Sequence, residues 1–148
     1  MNNTRDHVLV VDDNQDVANA LVEAITRYGY PAKAVYGGED AVRETANFLP
    51  DMVLVDLSMP ELDGCETITR MRQKRPAAEI IMVAVTGLSG DEHRQRAYDA
   101  GFDLFASKPL GADKLKELLA LLDPAIATST RANKGVRARR KQELENPY

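Results

Sequence analysis

The sequence predicts an α/β domain in which a parallel sheet is covered by helices on both faces. Short apolar runs such as Met52–Val55 are typical of strands that are buried on both faces. Five such strands alternate along the chain with five predicted helices. Right-handed crossovers between parallel strands place the intervening helices on either side of the sheet.

The predicted strands stop at turn residues or at polar side chains. Pro50 and Asp51 precede the third strand, and Ser58–Pro60 follows it, so this strand has clear limits at both ends. Asp56 is its last residue. The five predicted strands are His7–Asp12, Ala32–Tyr36, Met52–Asp56, Glu79–Val85 and Leu104–Ser107.

Helix caps and helix breakers delimit the predicted helices. Asn14 is the expected N-cap of the first helix, and Gly29 with Pro31 ends it. The apolar face of this helix is expected to comprise Val17, Leu21, Ile25 and Tyr28. The fourth helix is polar, with a thin apolar stripe at Ala97 and Ala100, so it is expected to pack lightly. The five predicted helices are Gln15–Tyr28, Glu39–Phe48, Cys65–Lys74, Gly90–Ala100 and Ala112–Leu122.

Composition places the chain among soluble globular proteins. Its 148 residues, 44% of them hydrophobic and 28% charged, suffice for one domain with a substantial core. No apolar run approaches the roughly 20 residues of a membrane helix, and the polar start shows no secretory signal. A lone cysteine, Cys65, provides neither a disulfide framework nor metal-ligand spacing. We therefore expect a complete small cytoplasmic protein without a membrane partner.

Charge is distributed unevenly along the chain. Residues 124–148 carry six basic and two acidic side chains, a net charge of +4, which leaves −8 on residues 1–123. The last segment has too few large apolar residues to form a core, so we predict a domain at 1–123 and a disordered or partly helical basic tail at 124–148.

Polar groups occupy the ends of four predicted strands. Asp12 and Asp13 end the first strand, Asp56 ends the third, Thr86 follows the fourth and Lys108 follows the fifth. Ligands of open parallel sheets bind outside the carboxyl ends of the strands. These side chains are therefore expected to converge on one pocket.

The chemistry of these groups favours phosphoryl transfer. Asp12, Asp13 and Asp56 would repel one another unless a cation intervenes, and hard oxygen ligands in a partly wet cluster suit Mg²⁺. Lys108 would add a fixed ammonium group and Thr86 a hydroxyl donor. Asp56 is the natural nucleophile, because carboxylates form acyl phosphates where positive charge surrounds the phosphoryl oxygens.

Each of these residues also has an ordinary structural interpretation. Asp12 or Asp13 could cap the first helix, Thr86 could fill a strand, and Lys108 could be a solvated turn residue. Their joint occurrence at the ends of strands one, three, four and five favours a common site.

Four segments of the sequence resemble the signature blocks of bacterial response-regulator receiver domains, the phosphorylated modules of two-component signalling. They are Val10–Asp13, Val55–Gly64, Val85–Gly87 and Ser107–Leu110. The resemblance covers residues 6–123 and implies a flavodoxin-like fold with strand order 2-1-3-4-5. It identifies the chain as a single-domain regulator with a short basic tail.

The resemblance also implies roles for individual residues. Asp56 would accept a phosphoryl group from the phosphohistidine of a histidine kinase or phosphotransfer protein. Mg²⁺ would be held by Asp13, Asp56 and the Ser58 backbone carbonyl, with Asp12 assisting through water. Thr86 and Lys108 would bind the phosphoryl oxygens.

The same resemblance implies a conformational switch. Thr86 would move towards the new anion, and Phe105, the aromatic switch residue, would turn into the space it leaves. The surface of helix four, strand five and helix five would then control a partner protein, and it is also compatible with a weak homodimer. The resemblance favours a cis Lys108–Pro109 bond, which the residues alone leave open.

Several other functions are compatible with parts of the pattern. The chain could be a receiver module of a hybrid kinase or phosphorelay, or an unphosphorylated interaction module. A magnesium-dependent phosphatase would need an added acid, but His7 and His93 do not stand at the carboxyl end of a strand. The basic tail could attract nucleic acid, but it lacks interleaved aromatic residues for base stacking. We therefore expect a signalling switch and not an enzyme.

Overall fold

A five-stranded parallel sheet organises the computed structural model of the chain, which describes residues 7–59, 62–76, 78–87 and 91–122. The strand order is β2-β1-β3-β4-β5, and every pairing is parallel. Both features agree with the predicted fold class. The strands are β1 (Val8–Val11), β2 (Ala32–Val35), β3 (Met52–Asp56), β4 (Ile81–Thr86) and β5 (Leu104–Ser107).

One helix follows each strand. Asn14 caps the first helix as predicted, because its Oδ1 accepts the backbone N–H of Val17 at 3.1 Å. Gly29, at φ 97°, lies directly after that helix, in the left-handed region where glycine is favoured. The helices are α1 (Gln15–Arg27), α2 (Gly38–Glu44), α3 (Gly64–Lys74), α4 (Asp91–Ala100) and α5 (Ala112–Ala120). Within the described ranges no helix has the length and apolar character of a membrane span.

The sheet separates two apolar cores, since side chains alternate across a strand. Leu9 and Val53 face the core shared with α2, α3 and α4. Val8 and Leu54 face the opposite core, which is shared with α1 and α5. The strand β3 is buried along its whole length. Because β3 is the middle strand of the five, its last residue, Asp56, lies in the middle of one edge of the sheet.

The predicted apolar face of α1 is only partly covered. Ile25 is fully buried and Leu21 half-buried, but Val17 is 38% exposed and Tyr28 is 40% exposed. Part of the predicted apolar face is therefore accessible to solvent. An open cleft between α1 and α5 leaves this stripe accessible.

Two other helices differ from expectation. The second helix ends at Glu44 and not at Phe48, because the N–H groups of the next three residues, 45–47, make bonds of the tighter i to i−3 type. In α4 the buried residues are Ala97 and Tyr98, while Ala100 is half-buried. Gly90 and the tail at 124–148 lie outside the described residues, so the boundary at 123 remains a prediction.

Candidate functional site

The carboxyl edge of the sheet brings together the side chains that the sequence singled out. Asp12 follows β1, Asp56 ends β3 and Thr86 ends β4, whereas Lys108 follows β5. Parallel pairing sets Thr86 opposite Ser107, so the next residue, Lys108, emerges at the same edge. Asp12, Asp56 and Thr86 are all buried, at 3%, 6% and 1% exposure.

Lys108 bridges the two buried carboxylates. Its Nζ lies 3.2 Å from Asp12 Oδ2 and 3.3 Å from Asp56 Oδ2. The Lys108 backbone N–H donates to the Thr86 carbonyl at 2.9 Å, and the Lys108–Pro109 peptide is cis. The two ion pairs place the lysine ammonium in the acidic pocket.

Backbone N–H groups fix the remaining carboxylate oxygens. The N–H of Asn14 donates to Asp12 Oδ1 at 2.9 Å, and the N–H of Ser58 donates to Asp56 Oδ1 at 3.0 Å. Each buried acid therefore has one oxygen bound by its own loop and the other turned to Lys108. Such fixed carboxylates need little rearrangement to meet a ligand.

Three carboxylates lie close enough together to hold a metal ion. One oxygen each from Asp12, Asp13 and Asp56 lies within 4.8 Å of the others, with Asp13 exposed and the other two buried. Three negative charges against one lysine leave the cluster short of positive charge. An all-oxygen donor set with one side open to water fits a hard divalent cation such as Mg²⁺.

The pKa values of Asp56 and Lys108 are both raised, but for different reasons. Burial raises the pKa of Asp56 above its ordinary 3.8, and the Asp12 charge adds to this, against the lowering effects of the Ser58 N–H and Lys108. Burial alone would lower the pKa of Lys108, but its hydrogen bonds and charge contacts with Asp12 and Asp56 together raise it. Lys108 is thus a permanent cation at neutral pH.

Replacing Asp56 by asparagine is expected to stabilise the metal-free protein near neutral pH. Because folding raises the pKa of Asp56, its contribution is favourable below 3.8 and is lost as pH rises through the folded-state pKa. Asparagine keeps the acceptor for the Ser58 N–H but carries no charge. Urea unfolding in EDTA between about pH 7.5 and about pH 4 measures this. The stability gain of Asp56→Asn should shrink as pH falls, and a gain that grows towards acid pH would contradict this explanation.

Phe105 lies next to the site on β5, opposite Ala84 of β4. Its ring is half-buried against the core on the α4 side, and the guanidinium of Arg94 lies over it at 5.2 Å from the ring centre. The resemblance named Phe105 as the aromatic switch residue. It did not predict a cation covering the ring.

Two charged contacts were missed by the sequence analysis, one beside the site and one at the opposite, amino edge of the sheet. Arg96 of α4 donates to Asp63 at 2.8 Å, and Arg72 of α3 lies 3.5 Å from the buried Asp103. Asp63 could have been recognised as an N-cap, since Glu66 follows three residues later. Its arginine partner, 33 residues further along the chain, leaves no local signal.

A cleft of about 620 Å³ opens beside the pocket between α1 and α5. One end of the cleft reaches Asp12, Asp56 and Lys108 at the carboxyl edge of the sheet. Its walls are otherwise almost entirely apolar. Val17 and Tyr28, which are large exposed apolar residues of the α1 segment, line it. The cleft is large enough to take side chains of a partner.

Fold and site together define a class, the flavodoxin-like domain with carboxylates and a lysine gathered at the carboxyl edge of its sheet. A family model described as the response regulator receiver domain matches residues 8–120. The chain therefore belongs to the receiver domain family of two-component response regulators.

Individual proteins support the same assignment. The transcriptional regulatory protein KdpE of Mycobacterium tuberculosis is 34% identical over 140 residues, which is 95% of this chain and 55% of KdpE. The sensor histidine kinase RcsC of Escherichia coli is 33% identical over 122 residues, 82% of this chain but 13% of RcsC. The structure titled "BeF3 Activated DrrB Receiver Domain" matches with a TM-score of 0.66 at 27% identity, covering 80% of this chain and 95% of the chain in that structure. The chain thus spans about half the length of KdpE and a small part of RcsC.

Proposed function

We propose that this protein is a phosphorylation-dependent signalling switch whose Asp56 accepts a phosphoryl group from a phosphohistidine. The observation that carries the proposal is the Asp56 carboxylate at the edge of β3, buried and 3.3 Å from the Lys108 ammonium. An Asp56 oxygen attacks phosphorus as the P–N bond breaks. The imidazole nitrogen keeps the bonding electron pair and takes a proton from water.

The residues present fit a magnesium ion. Asp13, Asp56 and the Ser58 backbone carbonyl would hold it, with Asp12 acting through water, and the ion would neutralise charge on the phosphoryl oxygens. The close carboxylates and the raised pKa of Asp56 support this, since both indicate a pocket that needs positive charge.

Lys108 and Thr86 would stabilise the transferred group. The Lys108 ammonium contacts Asp56 Oδ2 and can exchange this contact for one with a phosphoryl oxygen. Thr86 carries a buried hydroxyl at the end of the neighbouring strand. Both groups stand in place before the reaction, which lowers the cost of organising the transition state.

Thr86 and Phe105 would turn the chemical change into a change of shape. As Thr86 moves towards the phosphoryl group, the half-buried Phe105 ring can turn inward and leave the Arg94 guanidinium. The surface of α4, β5 and α5 would then present a different face to a downstream protein, or to a second copy of the chain in a weak dimer. In this role the domain is a switch and not an enzyme with turnover.

The apolar cleft between α1 and α5 would receive the phosphoryl donor. An amphipathic helix of a histidine kinase or histidine phosphotransfer protein would suit this groove, because such helices lay their apolar face into hydrophobic grooves. The cleft leads directly to Asp56 and Lys108, so a donor docked there would have its imidazole near the acceptor. The proposal concerns the domain itself, which in proteins such as RcsC is one part of a longer chain.

If the donor protein docks at this cleft, a substitution in the cleft should slow phosphoryl transfer from a protein donor but not from a small molecule. Val17→Lys should slow transfer from a phosphorylated histidine phosphotransfer protein about tenfold or more, because one desolvated charge at the centre of an interface costs at least about 1.4 kcal/mol. Transfer from acetyl phosphate should not change. Leu49→Lys is the matched control, since Leu49 is similarly exposed at 43% but lies outside the cleft.

The rate of phosphoryl uptake, followed by mass spectrometry of the peptide that contains Asp56, separates these outcomes. Equal slowing with both donors would indicate a damaged site. Unchanged transfer from the protein donor would place its docking surface elsewhere.

A further inference from the structure

The helix α4 is attached to the domain by few apolar side chains. Among its described side chains only Ala97 and Tyr98 are buried. Two arginines reach its neighbours instead. Arg96 Nη2 lies 2.8 Å from Asp63 Oδ2, and Arg94 covers the Phe105 ring of β5. Charged contacts therefore contribute to the attachment of α4 beside these two buried residues.

Asp63 is a rigid partner for Arg96. Its Oδ1 accepts the N–H of Glu66 at 2.9 Å as the N-cap of α3, and its carbonyl accepts the Thr67 hydroxyl at 2.7 Å. Burial alone would raise the pKa of Asp63, but the Glu66 N–H and Arg96 together hold it below its ordinary value. The carboxylate is thus charged and fixed at neutral pH.

The residue after Asp63 packs directly on the backbone of Asp56. Gly64 donates its N–H to the Leu57 carbonyl at 3.2 Å. A Cβ at Gly64 would lie 2.6 Å from the Asp56 carbonyl oxygen and 2.9 Å from Leu57 Cα, which shows how closely the chains approach. A displacement of the backbone at Asp56 must therefore move the start of α3.

We propose that the Arg96–Asp63 ion pair couples the backbone around Asp56 to α4. In the unphosphorylated protein the pair holds α4 against the start of α3. A phosphoryl group on Asp56 draws the following backbone towards its oxygens, Gly64 follows, and the pair loosens. Arg96 and Asp63 are positioning residues on a route separate from Thr86 and Phe105, and this inference rests on the function proposed above.

The effect should be modest and sensitive to salt. The side chain of Arg96 is 65% exposed and that of Asp63 is 33% exposed, and exposed pairs are weak and screened by ions. If the pair stabilises only the unphosphorylated state, its loss must favour binding of a phosphoryl mimic by the same factor, since coupling is reciprocal. We expect a factor of about two to five at low ionic strength.

Beryllofluoride with Mg²⁺, a mimic of the phosphoryl group on a carboxylate, tests the coupling on the full chain. Asp63→Asn retains an N-cap and removes the charge, and Arg96→Gln removes the other partner. Each should bind beryllofluoride about two- to fivefold more tightly than the native chain. The double variant should show no further gain. Arg70→Gln is the control, because the ion pairs of Arg70 within the described residues are with Glu66 of its own helix and Glu39 of α2.

Hydrogen exchange of the α4 amides gives the second measurement. Beryllofluoride should lower their protection in the native chain, and this change should largely vanish in Arg96→Gln, whose α4 is already loosened. If the pair were purely structural, its loss in Arg96→Gln would lower the protection of the α4 amides equally with and without beryllofluoride. Unchanged or weaker binding in both variants, or a full response of α4 in Arg96→Gln, would overturn the coupling. Failure of the native chain to bind beryllofluoride would instead overturn the proposed function, and the coupling with it.

Discussion

Replacing Lys108 by methionine is expected to slow phosphoryl uptake on Asp56 by about 10²- to 10³-fold, the usual effect of removing one fixed donor from a site of developing negative charge. Lys108 Nζ lies 3.2 Å and 3.3 Å from the two buried carboxylates. Methionine preserves much of the volume but leaves those carboxylates without their cation. The measurement is the initial rate of acetyl phosphate uptake with Mg²⁺, followed by intact mass.

Lys114→Met provides the control for this experiment. Lys114 belongs to the nearby helix α5, where it is exposed and pairs with Glu117 at 3.5 Å. Its replacement should leave uptake within about twofold of native, because surface substitutions away from a site usually have small effects. Native-like uptake in Lys108→Met would show that the lysine does not stabilise the transferred group.

Replacing Asp103 by alanine is expected to lower the free energy of unfolding by about 3 to 5 kcal/mol, because a buried pair is broken on one side only. Asp103 is 1% exposed, and its Oδ2 accepts the backbone N–H of Met82 at 2.8 Å and lies 3.5 Å from Arg72 Nη2. Alanine leaves a buried N–H on β4 without this acceptor. The loss would be a large fraction of the roughly 5 to 15 kcal/mol of a typical domain.

Urea denaturation of Asp103→Ala beside Asp99→Ala measures this effect. Asp99 is an exposed carboxylate of α4, and its Oδ1 accepts the Gln95 side-chain amide at 2.9 Å. Its replacement should change stability by no more than about 0.5 kcal/mol. Similar small losses in the two variants would show that Asp103 does not anchor β4 to β5 and α3.

The main features of the fold could be predicted because each strand has its own local signal. Apolar runs fixed the five strands to within about two residues, and Asn14, Gly29 and Pro31 marked the limits of α1. The convergence of Asp12, Asp56 and Lys108 followed from the geometry of parallel strands alone. Such predictions need only residues that are neighbours in sequence or equivalent positions on neighbouring strands.

Contacts between distant residues of the surface and core could not be predicted. Arg96 and Asp63 are 33 residues apart, and Arg72 and Asp103 are 31 apart. Tyr98 is buried within a helix whose local sequence is polar, because the adjoining core and not the helix pattern decides its environment. The exposure of Val17 and Tyr28 depends on the spacing between α1 and α5, which helical periodicity does not determine.

The most direct test of the proposed switch is the intact mass of the protein after incubation with acetyl phosphate, with and without Mg²⁺, on the native chain and on Asp56→Asn. We expect one added phosphoryl group on the native chain, only when Mg²⁺ is present, and none on Asp56→Asn. Uptake by Asp56→Asn equal to that of the native chain, or no uptake by the native chain under any condition, would contradict the assignment of Asp56 as the phosphoryl acceptor.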